Sequence, residues 1–186
     1  MVAGPSGVGK GTVVRRLLAG DQPGLTYSVS ATTRAHRDGE IEGTHYRFVT
    51  EEEFDRLIRH GELLEWAEIV GHRSGTPRRF VEERLAEGRD VLVELDVKGA
   101  KQVRELMPEA LLIFLLPPSF EELERRLRGR GSETEDRLRE RLETARWELQ
   151  QEPWFDERVV NDDLERAVSE VAAIIQGSHS DPEDPS

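Results

Sequence analysis

The stretch Gly4-Pro5-Ser6-Gly7-Val8-Gly9-Lys10-Gly11-Thr12 constrains the chain more than any other. Its glycines let the backbone turn tightly and aim several N–H groups into one concavity. Lys10 adds a point charge, and a helix starting near it adds the positive end of its dipole. Such a concavity suits phosphate. The pattern is G-x-x-x-x-G-K, in which Gly4 through Thr12 cradle the phosphates of ATP and Lys10 reaches its β- and γ-groups. A Gly-rich turn before a surface helix is the plainer reading, and it leaves the lysine after the third glycine unexplained.

A loop of this kind emerges from a buried strand and opens a helix, which demands an α/β fold with a mainly parallel sheet. Only Met1, Val2 and Ala3 precede Gly4. They supply ~10 Å of strand at ~3.3 Å per residue, where ~5–6 residues are usual. We therefore expect either apolar residues upstream or a weakened central strand.

The last position of the pattern departs from its usual Ser or Thr, because Gly11 stands there. Thr12 lies ~100° further around the helix and does not substitute directly for the hydroxyl that touches Mg²⁺. The ion would rest on phosphate oxygens, water and an acid such as Asp96, acting through water. Asp96 follows an apolar strand, where α/β sheets place ligands. It also suits a helix N-cap, and the two roles are compatible.

The rest of the chain reads as alternating strands and helices. Leu25–Ser30, Asp90–Leu95, Leu111–Leu116 and Arg158–Val160 are the clearest strands, the third a continuous apolar run. Thr50-Glu-Glu-Glu53 and Ser119-Phe-Glu-Glu122 are capping boxes, the first opening Glu51–Arg59 and the second a helix toward Arg128. Val81 and Leu85 mark a helix that Gly88 closes. Glu135–Gln151 carries Leu138, Leu142, Ala145 and Leu149 on one face, and a last helix spans Leu164–Ile175. The acidic, Pro-interrupted residues 178–186 read as a disordered tail.

At 186 residues this is about one domain. Lys+Arg 26 against Asp+Glu 38 gives a net charge of −12, which argues against a general nucleic-acid binder. The absence of Cys excludes disulfides and thiolate chemistry. No membrane-length apolar run or charged leader is visible, so a soluble cytoplasmic protein is expected.

After the second strand comes Ser28-Val-Ser30-Ala-Thr-Thr33-Arg34-Ala-His-Arg37-Asp-Gly-Glu40. Two guanidinium forks beyond a strand end suit one phosphate dianion, and Ser30 and Tyr46 add hydroxyl donors. With Gly43-Thr-His-Tyr46, Glu62-Leu-Leu-Glu65-Trp66, Gly75-Thr76, Glu94-Leu-Asp96-Val-Lys-Gly99, Leu127-Arg-Gly129-Arg130-Gly131 and Val160-Asn161-Asp162-Asp163, the chain resembles guanylate kinase. The resemblance runs to about Gln176.

It implies a P-loop kinase fold: core 1–30, 90–125 and 155–177, a GMP-binding region 31–80 and a helical lid of about 126–145, all one domain 1–177. It implies ATP and GMP as substrates, Mg²⁺ as cofactor, and neither nucleic acid nor membrane as partner. Ser30, Arg34, Arg37, Tyr46, Glu65, Thr76, Glu94 and Asp96 would bind GMP. A carboxylate at Glu65 accepts from both N1–H and the 2-amino group of guanine, which adenine lacks. Lys10, Arg126, Arg130 and Arg141 would neutralise the transferring group. Arg125, Arg128, Arg137 and Arg139 read as surface charge. Asn161 sits either near the adenine or simply in a turn.

One segment departs. Where the family has a tyrosine that contacts the acceptor phosphate, this chain reads His72-Arg73-Ser74-Gly75. Ser74 is too short to replace a phenol, and Arg73 is the neighbouring donor. A protein-binding module of guanylate-kinase type would lose Lys10 and the lid arginines. A sugar-phosphate kinase would lack Glu65 with Arg34, Arg37 and Tyr46. An adenylate kinase shares only Gly9-Lys10-Gly11-Thr12.

Overall fold

The computed structural model describes residues 1–20, 22, 24–69, 71–129 and 135–178. In chain order the elements are β1 (Val2–Ala3), α1 (Lys10–Leu18), β2 (Leu25–Tyr27), β3 (Ala31–Thr32), β4 (Arg47–Phe48), α2 (Glu51–Arg59), β5 (Leu63–Ile69), β6 (His72–Pro77) and α3 (Arg78–Ala86). Then come β7 (Asp90–Leu92), α4 (Val97–Leu106), β8 (Ile113–Leu116), α5 (Phe120–Arg128), α6 (Glu135–Leu149), a 3₁₀ turn (Glu152–Trp154), β9 (Glu157–Val160) and α7 (Leu164–Gly177). They form two compact units, Val2–Gln22 with Leu111–Ser186, and Pro23–Ala110 with Met1.

The first unit carries the phosphate loop on a parallel sheet ordered β1-β8-β9. Val2 pairs with Ile113 and Ala3 with Phe114, and all four are buried. The apolar run is buried as expected, but its ladder begins only at Ile113. Just before it, the Leu112 N–H donates to the Asp156 carboxylate at 2.8 Å and the Leu112 carbonyl accepts from Asp156 and Glu157. α1 buries Val13, Val14 and Leu17, α7 buries Ala167 and Val171, and the two helices pack together.

The second unit has a parallel pair, β2 with β7, and a mixed sheet ordered β4-β3-β6-β5. Both members of the parallel pair are shorter than the apolar pattern suggested: the paired register runs from Leu25 with Asp90 to Tyr27 with Leu92, and the Ser28 N–H bonds the Leu92 carbonyl. β5 and β6 form an antiparallel hairpin that the sequence reading did not single out. Gly71 at φ +76° turns it, with a chemistry too weak to see in Val70-Gly71 alone. α2 begins at its capping box, where Thr50 accepts from the Glu53 N–H at 3.1 Å, and buries Phe54 and Leu57 on Ala31 and Leu63.

α5 starts at the predicted Ser119 cap, and α4 at Asp96. α6 ends at Leu149 rather than Gln151, and α7 runs on to Gly177. Residues 130–134 of the expected lid, about 126–145, and the tail beyond Ser178 lie outside the described residues.

Phe114 is fully buried and packs on Phe155 with ring centroids 4.6 Å apart. Phe114→Ala should lower the free energy of urea unfolding by about 3–5 kcal/mol. A loss under about 1 kcal/mol would mean that the sheet centre is not the core.

Candidate active site

The loop 4–9 sits between β1 and α1, and its carbonyls are tied down from several directions. The Asn161 amide, at the end of β9, donates to the Val8 carbonyl at 2.7 Å. Arg126 of α5 donates to the same carbonyl at 3.2 Å and to the Asn161 carbonyl at 3.1 Å. Glu122 orients that guanidinium through a 2.9 Å bond to Nε. Gly9 precedes α1 at φ +103°, and a Cβ there would lie 2.6 Å from the Asn161 amide nitrogen, so only glycine fits. Lys10 Nζ donates to the Gly4 and Pro5 carbonyls at 2.7 and 3.2 Å. Thr12 is exposed on α1.

α6 reaches the loop by a face that the apolar pattern did not reveal. Leu138, Arg141, Ala145 and Glu148 are its buried positions, whereas Leu142 and Leu149 are only half-buried. Arg141 donates to the Ser6 hydroxyl at 2.9 Å, and the Glu148 carboxylate accepts the Ser6 N–H at 3.1 Å. Arg141 was expected at the phosphates; Glu148 was missed. The available signal was the charge pair at a seven-residue spacing, two turns apart on the Ala145 side. Arg125, Arg128 and Arg139 are exposed and paired with neighbouring carboxylates, as surface charge should be. Arg130 lies outside the described residues.

In the other unit, the hairpin register sets Glu65 opposite Thr76. Both are buried, and the Thr76 hydroxyl donates to Glu65 Oε1 at 2.6 Å. Burial, reinforced by the nearby Asp96 charge, pushes the Glu65 carboxyl up to about 7 against the opposing Thr76 bond. Asp96 caps α4, its Oδ1 accepting the Gly99 N–H at 2.6 Å. The cap alternative is therefore seen directly.

Arg34 lies with its guanidinium 5.1 Å from the Tyr46 ring centroid and 5.8 Å from that of Phe48. One of its nitrogens donates to Glu40 at 2.6 Å, and that carboxylate also accepts the Arg37 N–H at 2.9 Å. The Arg37 residue itself is exposed. Burial, and then the Glu94 carboxylate, raises the Tyr46 phenol above its ordinary value. Ser30 is buried at the start of the loop, and its carbonyl accepts the Arg47 N–H at 2.9 Å. Ser30, Arg34, Arg37, Tyr46, Glu65, Thr76, Glu94 and Asp96 thus all belong to this unit.

Arg73 does not serve as the substitute donor. Its fork is committed to Glu51 and to Asp55, the latter at 2.6 Å, and it stacks 4.8 Å over Phe54. Ser74 turns to the Ala31 carbonyl at 3.3 Å.

The guanylate kinase family model matches residues 1–178. The chain belongs to the guanylate kinase family. It is 56% identical over 182 residues to a guanylate kinase from Mycobacterium sp. (strain MCS), covering 97% of this chain and 91% of that one. It is 54% identical over 171 residues to one from Synechococcus sp. (strain CC9311), covering 92% and 90%. The crystal structure of guanylate kinase from Anaplasma phagocytophilum superposes with a TM-score of 0.82 at 35% identity, covering 97% of this chain and 86% of that one. This family member is an enzyme, a nucleotide kinase. Among the described residues no helix is long and apolar enough to cross a membrane.

Glu65 makes stability depend on pH. The folded protein keeps this carboxyl protonated up to about 7, whereas the unfolded chain releases it near 4.5. Stability that is present below pH 4.5 is therefore lost as pH rises to about 7, on the order of 3 kcal/mol in all. Glu65→Gln should remove that loss. Urea unfolding at pH 4.5 and pH 8 should find the variant gaining on the parent at the higher pH only; an equal difference at both would refute the burial argument.

Proposed function

We propose that the ATP:GMP phosphoryl transfer catalysed by this chain, giving ADP and GDP in purine nucleotide metabolism, divides between a donor cradle and an acceptor pocket. The observation that carries the acceptor assignment is the buried Glu65 carboxylate with its Thr76 donor. A buried carboxylate wants donors, and guanine presents two adjacent ones. Adenine offers an acceptor at N1 instead, which would leave Glu65 unpaired. Arg34 and Arg37, with the Tyr46 and Ser30 hydroxyls, bind the GMP phosphate. Glu94 and Asp96 complete the base side.

On the donor side, Gly4 through Thr12 bind the ATP phosphates, with Asn161 supporting the loop beside the nucleotide. A phosphate oxygen of GMP attacks the γ-phosphorus, and the bond from that phosphorus to the bridging oxygen breaks to leave ADP. Negative charge spreads over the transferring oxygens, so positioned cations supply most of the catalysis. Lys10, Arg126 and Arg141 fill that role, together with Arg130. Lys10 must leave the Gly4 and Pro5 carbonyls to do so. The arginines at 126 and 141 belong to a proposed lid, about 126–145, within the single domain 1–177.

The donor set fits Mg²⁺ of the substrate-held kind. Among the described residues no cluster of metal-ligating side chains could cage an ion, and Gly11 has no hydroxyl. Mg²⁺ would be held by phosphate oxygens and water, with Asp96 reaching it through water, and it offsets phosphate charge. The reading keeps the enzyme in the cytoplasm, without nucleic acid or membrane as partner.

A coupled ADP assay with ATP and a panel of nucleoside monophosphates tests the assignment. GMP should exceed AMP by orders of magnitude in kcat/KM. Comparable rates with AMP would overturn it. Lys10→Ala should still fold, with a modestly lowered thermal midpoint for the Gly4 and Pro5 carbonyls it leaves, and lose about 100-fold or more in kcat. Near-normal turnover in that variant would remove Lys10 from the catalytic set.

A further inference from the structure

α4 begins Val97-Lys98-Gly99-Ala100, with Asp96 as its cap. Gly99 is buried within the first turn, and its backbone is helical, so nothing in its conformation calls for glycine. Glycine inside a helix is unfavourable relative to alanine. The reason for it lies in the space beside it. A Cβ built on Gly99 would collide with the Glu65 carboxylate, whose Cδ stands 3.0 Å away, while Asp96 Oδ1 at 3.2 Å would be only tight. The atoms in the way are the far end of a side chain, not backbone. A methyl group there would displace the carboxylate and leave the helix intact.

We infer that Gly99 is a positioning residue for base selectivity, its missing side chain being the space in which the Glu65 carboxylate lies. This rests on the reading of Glu65 as the guanine reader. Glu65 is fixed on two sides: Thr76 donates to Oε1, and the bare backbone of α4 admits the other oxygen. A carboxylate pushed off that seat no longer meets both guanine donors at once. The helix loses nothing by the change, because the N–H of residue 99 still reaches Asp96 and alanine favours the helix.

The test compares Gly99→Ala, Glu65→Gln and the double variant with the parent. Gly99→Ala should keep or raise the thermal midpoint and leave the KM for ATP within about twofold. Its kcat/KM for GMP should fall about tenfold or more, and its preference for GMP over AMP should narrow. The double variant should be little worse than Glu65→Gln alone, since both act through one carboxylate. A Gly99→Ala enzyme with parental GMP kinetics overturns the inference, provided that Glu65→Gln is impaired. A lowered thermal midpoint also overturns it, because the fold would then be what requires glycine. Parental GMP selectivity in Glu65→Gln removes the base reader itself, and the inference with it.

Discussion

A loop that turns its N–H groups toward phosphate has few left to satisfy its own carbonyls. Those carbonyls must find donors elsewhere, because buried backbone groups do not stay unpaired. The chain answers with side chains from distant positions. Val8 receives Asn161 from the end of β9 and Arg126 from α5, and Gly4 and Pro5 receive Lys10 from the first turn of α1. Two of the loop's donors are spent within the protein: the Ser6 N–H goes to Glu148 and the Val8 N–H to the Pro5 carbonyl. The sheet order β1-β8-β9 follows from the same need: β8 must lie beside β1 and β9 beside β8 for Asn161 to emerge under the loop. Arg126 thereby holds the loop through the Val8 and Asn161 carbonyls, and Arg141 through the Ser6 hydroxyl.

Glu65 illustrates the opposite balance. Its burial opposes ionisation, which is what recognition of two N–H donors requires. A glutamine would be easier to bury and worse at the task, since an amide offers one acceptor and not two. On the proposed reading guanine adds two donors to the one that Thr76 supplies. A substrate lacking them leaves the charge buried and unpaired, and discrimination grows with the depth of burial.

The parts legible in the sequence were those with local chemistry. The phosphate loop, the caps at Thr50 and Ser119 and the apolar run around Ile113–Leu116 are each dictated by a few adjacent residues. What the pattern concealed depends on contacts far apart in the chain. In the β5–β6 hairpin the polar Glu65 is buried and the apolar Trp66 exposed, and β6 is mostly polar and small, so no apolar alternation marks it. α6 shows apolar residues on one side and buries another, because Arg141 and Glu148 are drawn to Ser6, more than 130 residues away. Gly99 is silent in sequence, since only the position of Glu65 explains it.

Arg73 shows how one substitution can move a residue from substrate to scaffold. The family resemblance leads to a phosphate contact at this corner, and an arginine next to it suggests a replacement. Yet α2 presents Glu51 and Asp55 on the same face as Phe54, at positions one turn apart. A guanidinium on β6 meets both carboxylates and an aromatic face together, and the Thr33 hydroxyl fixes its backbone N–H at 2.9 Å. A lone phosphate dianion would have to displace two carboxylates already in place. The proposed acceptor site accordingly relies on Arg34 and Arg37. Arg34 pairs with one carboxylate, Glu40, and also stacks on Tyr46.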